Sequence, residues 1–284
     1  MVAVLNKFRI DNNRRVKLML VEQIAVNNSL RNYMYLVACP ETREAAAIDP
    51  LDHELVLQRA KELGWTIRSV INTHEHHDHI GGNEQVLSAT SATLYAHHNA
   101  MDKIANVDVG LKAGDVISIG TSVELIALDT PGHTFCHTCL YFMGAEHHAP
   151  ALFCGDTLFN AGVGNCHNGG NAQTLYQTFL NQLYLLPNET RIYPGHDYIA
   201  NNLKFSLDRE PDNAAAACLL SAIEQWSGQS HYISTIEIEK KINAFFRLTN
   251  PQIIQLLRAE FDDLEEAPSE EEVFLRLRAL RDRW

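Results

Sequence analysis

The stretch Thr73–His79, with the sequence THEHHDH, constrains this chain more than any other, because it concentrates histidine and carboxylate side chains within a few residues. It directly follows the run Ile67–Ile71, which is short, aliphatic and bounded by polar residues, and which therefore predicts a buried strand. Side chains at the end of such a strand lie on a loop at the mouth of a sheet, where clefts form in α/β folds. Ligand-type residues at this density are otherwise rare, so the stretch predicts a metal site rather than a solvated polar loop.

The spacing within this stretch predicts two metal positions. His74 and His76 are two residues apart, so in extended backbone they point the same way and can share one ion. Asp78 and His79 lie further round the turn and would point at a second position. Imidazole suits zinc, iron or manganese and a carboxylate suits hard divalent ions, so the mixture favours a two-metal site.

Three further loops place a ligand-type residue directly after a predicted strand. They carry His133 in the sequence PGHT, Asp156 in the sequence GDT and His196 in the sequence GHD. In each loop a glycine precedes the ligand, which lets the backbone approach an ion closely. One such turn is a weak signal, whereas four ligand-bearing loops at strand ends of one α/β domain are a strong one.

Composition and charge exclude several functional classes. The net charge of −12 argues against binding to a nucleic-acid backbone, which requires basic patches. No apolar run approaches about 18 residues, so we expect no membrane span. The N-terminus mixes charged residues into modest hydrophobics and lacks a signal-peptide core, which favours the cytosol. In a chain of this size the cysteines are expected to be reduced and buried. We expect a monomer or a small homo-oligomer.

Strands alternate with helices up to about residue 195, which predicts a layered α/β domain over residues 16–197. Residues 1–15 are expected to form a loose arm or to precede the true start codon. Two helices of the first domain are expected at His53–Leu63 and Ala172–Leu186. Helical segments with Pro and Gly breaks predict a small helical domain over residues 198–284. Its expected helices are Tyr198–Asp208, Asp212–Trp226, Ile236–Phe246, Pro251–Glu260 and Ser269–Arg281.

The four motifs THEHHDH, PGHT, GDT and GHD, in this order, resemble those of the metallo-β-lactamase superfamily. Within it the chain is similar to glyoxalase II, the hydroxyacylglutathione hydrolases. The similarity extends through residues 32–37, 45–50, 155–162 and 195–205 and covers roughly residues 20 to 250. It implies an α/β fold, a four-layer αββα sandwich with a small C-terminal helical domain.

The resemblance also implies a ligand set. It assigns one metal to His74, His76 and His133, a second to Asp78, His79 and His196, and a bridging role to Asp156. Two divalent ions are implied, zinc in the first place, with iron and manganese as alternatives. Asp78 is also expected to orient the nucleophile. His77 lies within the first motif but is left over from the ligand set, and it is expected to face solvent or to support a ligand from behind. Two adjacent pairs outside the motifs are expected at the surface, namely His97 with His98 and His147 with His148.

The implied reaction is hydrolysis of a small-molecule thioester, S-D-lactoylglutathione or a related hydroxyacyl thiol. Two ions can hold a bridging hydroxide, and one of them can polarise the carbonyl under attack. A thiolate whose conjugate acid has a pKa near ~8.5 leaves without a proton donor, whereas an amide would need one. The alternatives are a mono-iron persulfide dioxygenase and a metallo-hydrolase of another small-molecule ester.

Substrate contacts follow from the resemblance by position. The family's lysine and tyrosine positions after the GDT motif are occupied here by Asn165 and His167. The tyrosine that follows the last metal histidine is present as Tyr198. In the tail, Arg247 is the expected cation.

Overall fold

The computed structural model describes residues 18–145, 148–225 and 231–284, and within them two six-stranded sheets lie face to face. The first sheet contains, in spatial order, β1 (Leu20–Ala25), β2 (Tyr33–Ala38), β3 (Glu44–Ile48), β4 (Thr66–Ile71), β5 (Thr93–His97) and β6 (Val109–Leu111). The remaining strands are β7 (Val116–Ile119), β8 (Val123–Asp129), β9 (Thr138–Phe142), β10 (Ala151–Gly155), β11 (Leu158–Phe159), β12 (Gly162–Val163), β13 (Arg191–Pro194) and β14 (Ser234–Thr235). The predicted arm at residues 1–15 lies outside the described residues, as do His147 and Trp226.

The second sheet has the order β14-β13-β10-β9-β8-β7, and β11 and β12 form a separate hairpin. Strands β3 to β6 run parallel, as do β10 and β13. The ends of β4, β8, β10 and β13 carry the predicted ligand loops.

Successive side chains of β2 point into two different cores, so both faces of the strand are buried. Tyr35 and Val37 belong to the core between the two sheets, together with Leu125 and Phe142 from the second sheet. Leu36, on the opposite face of β2, packs in the core beneath the outer helices. A strand with period-two side chains can be apolar throughout only when both faces are covered.

The helices cover the outer faces. They are α1 (His53–Leu63), α2 (His77–Ile80), α3 (Asn83–Thr90), α4 (Ala172–Asn181), α5 (Ile199–Arg209), α6 (Ala214–Glu224), α7 (Ile236–Ile242), α8 (Pro251–Glu260) and α9 (Glu270–Arg281). The predicted bounds of α1 are confirmed: the Asp52 carboxylate accepts from the Leu55 N–H, and Gly64 ends the helix at φ 67°.

The C-terminal helices pack against the outer face of the second sheet. Phe179 of α4 shares one core with Phe245, Phe274 of α9 and Leu152 of β10. This packing completes the predicted order of helix, sheet, sheet and helix. The tail also adds a strand that the sequence does not predict, since β14 pairs with β13.

Two predicted helices end more than one turn before the predicted residue. The helix predicted at Ala172–Leu186 ends at Asn181, because Gln182 leaves helical geometry, and a 3-10 turn follows at Leu183–Leu185. The helix predicted at Ile236–Phe246 ends at Ile242, because Asn243 is extended and its side chain caps the Phe245 N–H.

Within the described residues, every helix is too short or too polar to cross a bilayer. All six cysteines are free, as predicted. Four are buried and Cys166 is half-buried, but Cys218 is exposed, so the expectation of burial is wrong for that residue.

Candidate metal centre

The predicted ligand loops meet at one edge of the sandwich. The segment after β4, a short loop followed by α2, carries four of the seven predicted ligands, and the loops after β8, β10 and β13 carry one each. The structure brings the seven side chains together: His74, His76, Asp78, His79, His133, Asp156 and His196.

The first group consists of His74, His76 and His133. Nδ1 of His76 lies 3.1 Å from Nε2 of His74 and 3.0 Å from Nε2 of His133. Nitrogens that bind one zinc at 2.0–2.1 Å in tetrahedral geometry are about 3.3 Å apart. The three nitrogens therefore converge on a position that suits a single ion.

The second group consists of Asp78, His79 and His196. Nε2 of His79 and Nε2 of His196 are 3.3 Å apart. Oδ2 of Asp78 lies 3.4 Å from Nε2 of His196 and 3.6 Å from Nε2 of His79. This group places one carboxylate and two imidazoles around a second position.

Asp156 lies between the two groups. Its Oδ2 is 3.5 Å from Nε2 of His133 and 3.2 Å from Nε2 of His196, and its Oδ1 is 3.4 Å from Nε2 of His79. Oδ1 is buried and has no hydrogen-bond partner among the residues that the structure describes. A buried carboxylate oxygen without a donor is costly. A cation at this position would satisfy it, so the residues fit a metal pair.

The histidine tautomers also suit metal binding. In three of them the nitrogen that faces away from the centre donates to a backbone carbonyl: His133 Nδ1 to Asn165 at 2.6 Å, His196 Nδ1 to Leu30 at 2.7 Å and His76 Nε2 to Asn168 at 2.9 Å. A carbonyl can only accept, so that nitrogen carries the hydrogen. The opposite nitrogen then presents its lone pair to the centre.

Asp49 orients the remaining two histidines, and sequence reasoning missed it. Nδ1 of His79 donates to Oδ2 of Asp49 at 3.0 Å. The Thr73 hydroxyl also donates to Oδ2, at 2.6 Å, and so accepts from Nδ1 of His74 at 3.0 Å. The sequence marked Asp49 only as the end of a strand, yet that strand, β3, is the parallel neighbour of β4. This adjacency is the signal that could have identified it.

His137 is a second residue that the sequence did not single out. It is fully buried, and its Nε2 accepts from the backbone N–H of Asp156 at 3.2 Å. Its Nδ1 lies 3.0 Å from the Thr130 hydroxyl and 3.1 Å from the Thr157 hydroxyl. Burial holds the pKa of His137 well below its usual range, so the ring stays neutral.

Charges at the centre favour a cation. Burial lowers the pKa of His74 well below its usual range. Burial also pulls down the pKa of His79, but the carboxylates of Asp156 and Asp49 outweigh it and raise that pKa to about 9. Burial disfavours the ionised form of Asp156, yet His196 and His79 hold its pKa well below the usual value. Asp156 therefore stays ionised and attracts positive charge.

A cavity of about 310 Å³ adjoins the centre. Three of the predicted substrate contacts line it, namely Asn165, His167 and Tyr198. The Tyr198 ring stacks on His196 with centroids 4.9 Å apart and 5° between the planes. Burial raises the pKa of Tyr198 to about 12, so the phenol keeps its proton at neutral pH.

Arg247 does not line this cavity. Its guanidinium donates twice to the Glu210 carboxylate, both at 2.6 Å, and once to the Lys240 carbonyl at 3.2 Å. The cations that line the cavity are Arg278 and Arg281, which sequence reasoning missed. The substrate contact expected at Arg247 is therefore not supported by its position.

Histidines outside the ligand set are only partly as expected. His77 is exposed, which confirms the prediction, whereas His98 and His148 are half-buried. The prediction is wrong for His97, which is 2% exposed. Its Nδ1 accepts from the Asn99 N–H, and its Nε2 lies 3.3 Å from Oδ1 of Asp129. His97 is the last residue of β5.

Two family models match consecutive parts of the chain. The model of the metallo-beta-lactamase superfamily matches residues 36–196, and that of the hydroxyacylglutathione hydrolase C-terminus matches residues 197–284. A hydroxyacylglutathione hydrolase from Nitrosococcus oceani is 56% identical over 266 residues, which are 94% of this chain and 100% of the relative. The chain belongs to the hydroxyacylglutathione hydrolase family. The predicted family and enzyme class, a hydrolase of this superfamily, are confirmed.

The chain is also similar to a plant relative and to two solved structures. The cytoplasmic hydroxyacylglutathione hydrolase of Arabidopsis thaliana is 35% identical, over 80% of this chain and 88% of the relative. The crystal structure of ETHE1 from Myxococcus xanthus superposes with a TM-score of 0.62 at 26% identity, covering 92% of this chain and 99% of that one. TTHA1623 in a di-iron-bound form shares the fold, with a TM-score of 0.55 at 23% identity, covering 79% of this chain and 99% of that one.

Proposed function

We propose that this chain hydrolyses the thioester of a hydroxyacylglutathione, S-D-lactoylglutathione in the first place, to a hydroxy acid and a thiol. The observation that carries the proposal is the pair of ligand groups that share Asp156 beside a cation-lined cavity. Relatives that bear the name hydroxyacylglutathione hydrolase support the substrate class.

Seven ligands in two groups suit two divalent ions, with zinc proposed first and iron or manganese as alternatives. Bound ions of this kind supply activation of water at neutral pH and polarisation of a carbonyl oxygen. The protein contributes the orientation of the ligands, through Asp49 and the backbone carbonyls, and a dry environment around His74 and Asp156.

Asp78 is proposed to orient the attacking water. Its side chain is 26% exposed, compared with 9% for Asp156, so Asp78 faces the open side of the centre. Its carboxylate can accept a hydrogen bond from water there. A thiolate leaves without a proton donor, so the thioester requires only this nucleophile and a polarised carbonyl.

The cavity is proposed to hold the thiol carrier. Arg278 is already committed, since it donates to the carbonyls of Val163 and Gly164 at 3.0 and 3.2 Å and to the Asp282 carboxylate at 2.7 Å. Among the described residues, Arg281 donates one hydrogen bond, to Asn202 at 3.3 Å, which leaves its other donors for a ligand. A carboxylate of the carrier would pair with Arg281, because charge-assisted bonds are the strong ones.

Tyr198, Asn165 and His167 are proposed to supply neutral contacts to the same carrier. All three line the cavity, and the protonated Tyr198 phenol can donate a hydrogen bond next to His196. The cytosol is the proposed location, supported by the free cysteines and by the Arabidopsis relative that is named cytoplasmic.

The test is steady-state hydrolysis of S-D-lactoylglutathione by metal-replete protein, with the metal content measured on the same sample. Turnover with close to two ions per chain supports the proposal. Two ions without turnover would overturn the choice of carrier. One iron per chain, with sulfite formed from glutathione persulfide and oxygen, would overturn hydrolysis in favour of a dioxygenase. An Asp156→Asn variant is the control, since it removes the shared carboxylate and should lose turnover.

A further inference from the structure

The turn that precedes β2 forms hydrogen bonds with two parts of the second ligand group, the segment around His196 and the side chain of Asp78. The Leu30 carbonyl accepts from Nδ1 of His196 at 2.7 Å. The Tyr33 N–H donates to the Gly195 carbonyl at 2.8 Å, and the Asp197 N–H donates to the Arg31 carbonyl at 2.9 Å. The residues on either side of His196 are therefore held by this turn.

Asn32, in the same turn, reaches the other side of the group. Its side chain is almost fully buried, and Nδ2 donates to Oδ2 of Asp78 at 2.9 Å and to the Asp78 carbonyl at 3.0 Å. Oδ2 is also the oxygen that lies nearest to the ligand nitrogens of His79 and His196. The amide thus holds the oxygen that faces the second metal position.

Asn28 determines which way the Asn32 amide points. The Asn28 side chain donates from Nδ2 to Oδ1 of Asn32 at 2.9 Å, and the Asn32 backbone N–H donates to Oδ1 of Asn28 at 3.2 Å. Because Oδ1 of Asn32 accepts this bond, its NH₂ group must face Asp78. The orientation of the amide is therefore built into the turn.

We infer that Asn32 is a positioning residue for the second metal ion, with Asn28 acting through it. In the part of the chain that the structure describes, the Asn32 amide donates the hydrogen bond that the Asp78 carboxylate accepts. The rest of the Asp78 side chain is partly open to solvent. Without this amide the carboxylate is free to rotate away from His196. The inference rests on the proposed two-ion centre and goes beyond it, because it assigns a role to a residue that is not itself a ligand.

The effect should be confined to the second ion. The nitrogens of the first group are oriented by the Asn165 and Asn168 carbonyls and by Thr73, none of which belongs to the turn at residues 28–33. Removal of hydrogen-bond partners behind metal ligands typically costs about 10- to 100-fold in metal affinity. Loss of Asn32 should therefore weaken the binding of the second ion and leave the affinity for the first ion unchanged.

The test is zinc binding to the full chain, measured by competition with a chromogenic chelator and by metal analysis after dialysis. We expect Asn32→Ala to retain one tightly bound zinc and to bind the second about 10- to 100-fold more weakly. Asn28→Ala should weaken the same ion by a smaller factor, since the amide remains but loses its orientation. Cobalt substitution provides an independent readout, because the visible band of the second ion should be reduced and that of the first retained.

Asn213→Ala is the matched control. Asn213 is a buried asparagine of the tail that caps α6 by accepting from the Ala216 N–H, so its loss should lower stability and leave both zinc affinities unchanged. Unchanged binding of both ions in Asn32→Ala would overturn the role. Equal weakening of both ions, or the same loss in Asn213→Ala, would also overturn it by indicating general destabilisation. If Asn32→Ala does not fold, Asn28→Ala decides. A native protein that binds one ion would instead refute the two-ion centre itself.

Discussion

The ring of His137 stacks on the ring of His74, with centroids 5.1 Å apart and 22° between the planes. The same His137 accepts the backbone N–H of Asp156 through Nε2. One neutral, buried imidazole therefore supports a ligand of the first group and the carboxylate shared by both groups.

We expect His137→Ala to lose metal and stability together. The substitution leaves the Asp156 N–H without an acceptor, which costs about 1–3 kcal/mol in a buried position, and removes the surface on which His74 rests. The measurements are zinc content after dialysis against a chelator and the free energy of unfolding in urea. Retention of two zinc ions with native stability would contradict this role for His137.

Gly195 permits the close approach that the sequence pattern predicts. A Cβ at this position would lie 2.3 Å from Oδ1 of Asp156 and 2.8 Å from Cε1 of His79. We expect Gly195→Ala to displace the shared carboxylate and to reduce zinc binding at both positions. Gly64→Ala is a useful control, because its added Cβ would meet no atom within 4 Å in the described residues apart from its chain neighbours. Its left-handed backbone should cost stability without affecting zinc.

The convergence of the seven predicted side chains could be foreseen because they lie in short local motifs at strand ends. His74 and His133 lie far apart in the sequence, but each carries the same local signature of a strand, a turn and a ligand. Asp49 and His137 have no such signature, since their roles arise from the pairing of neighbouring strands and from the packing of rings. Residues of this kind become visible only when the register of the sheets is known.

The cations of the cavity were not predictable for a similar reason. The sequence predicted α9, but the face that α9 presents to the cavity depends on its packing against α4 and on the ring of Phe274. The resemblance predicts Arg247 as the cation of the tail, whereas Glu210 binds it in the fold. The shortest strands, β11, β12 and β14, have two residues each, too few for any hydrophobic period.

Glu239 predicts a pH dependence of stability. Burial raises its pKa to about 7, against three donors that favour the ionised form: the Ser234 hydroxyl, the Asn243 amide and the Ala161 N–H. A folded-state pKa above the usual 4.5 means that the folded protein binds the proton more tightly than the unfolded chain. The stabilisation is therefore complete below about pH 4.5 and declines as the pH rises towards 7.

The measurement is the free energy of unfolding of the native protein and of Glu239→Gln between pH 5 and 8. We expect the difference between the two proteins to change with pH by at most about 1.4 kcal/mol per unit up to pH 7, to the disadvantage of the native protein. The quantity to compare is the slope of the free energy of unfolding against pH, because the glutamine also alters the three hydrogen bonds at every pH. A difference that is constant with pH would show that Glu239 does not titrate in this range.

Arg281→Ala should separate binding from chemistry. Arg281 lines the cavity beside Tyr198 and has donors without a partner among the described residues, so its loss should remove the proposed charge-assisted bond to a carboxylate of the carrier, worth about 1.5–3 kcal/mol. We expect KM for S-D-lactoylglutathione to rise about tenfold or more, with kcat nearly unchanged, because the contact is remote from the reacting carbonyl. Arg247→Ala is the matched control. It should lower the stability of the protein, because the buried Glu210 carboxylate loses its charged partner, and it should leave KM unchanged. A KM that rises in Arg247→Ala and not in Arg281→Ala would return the carrier site to the position first expected from the sequence.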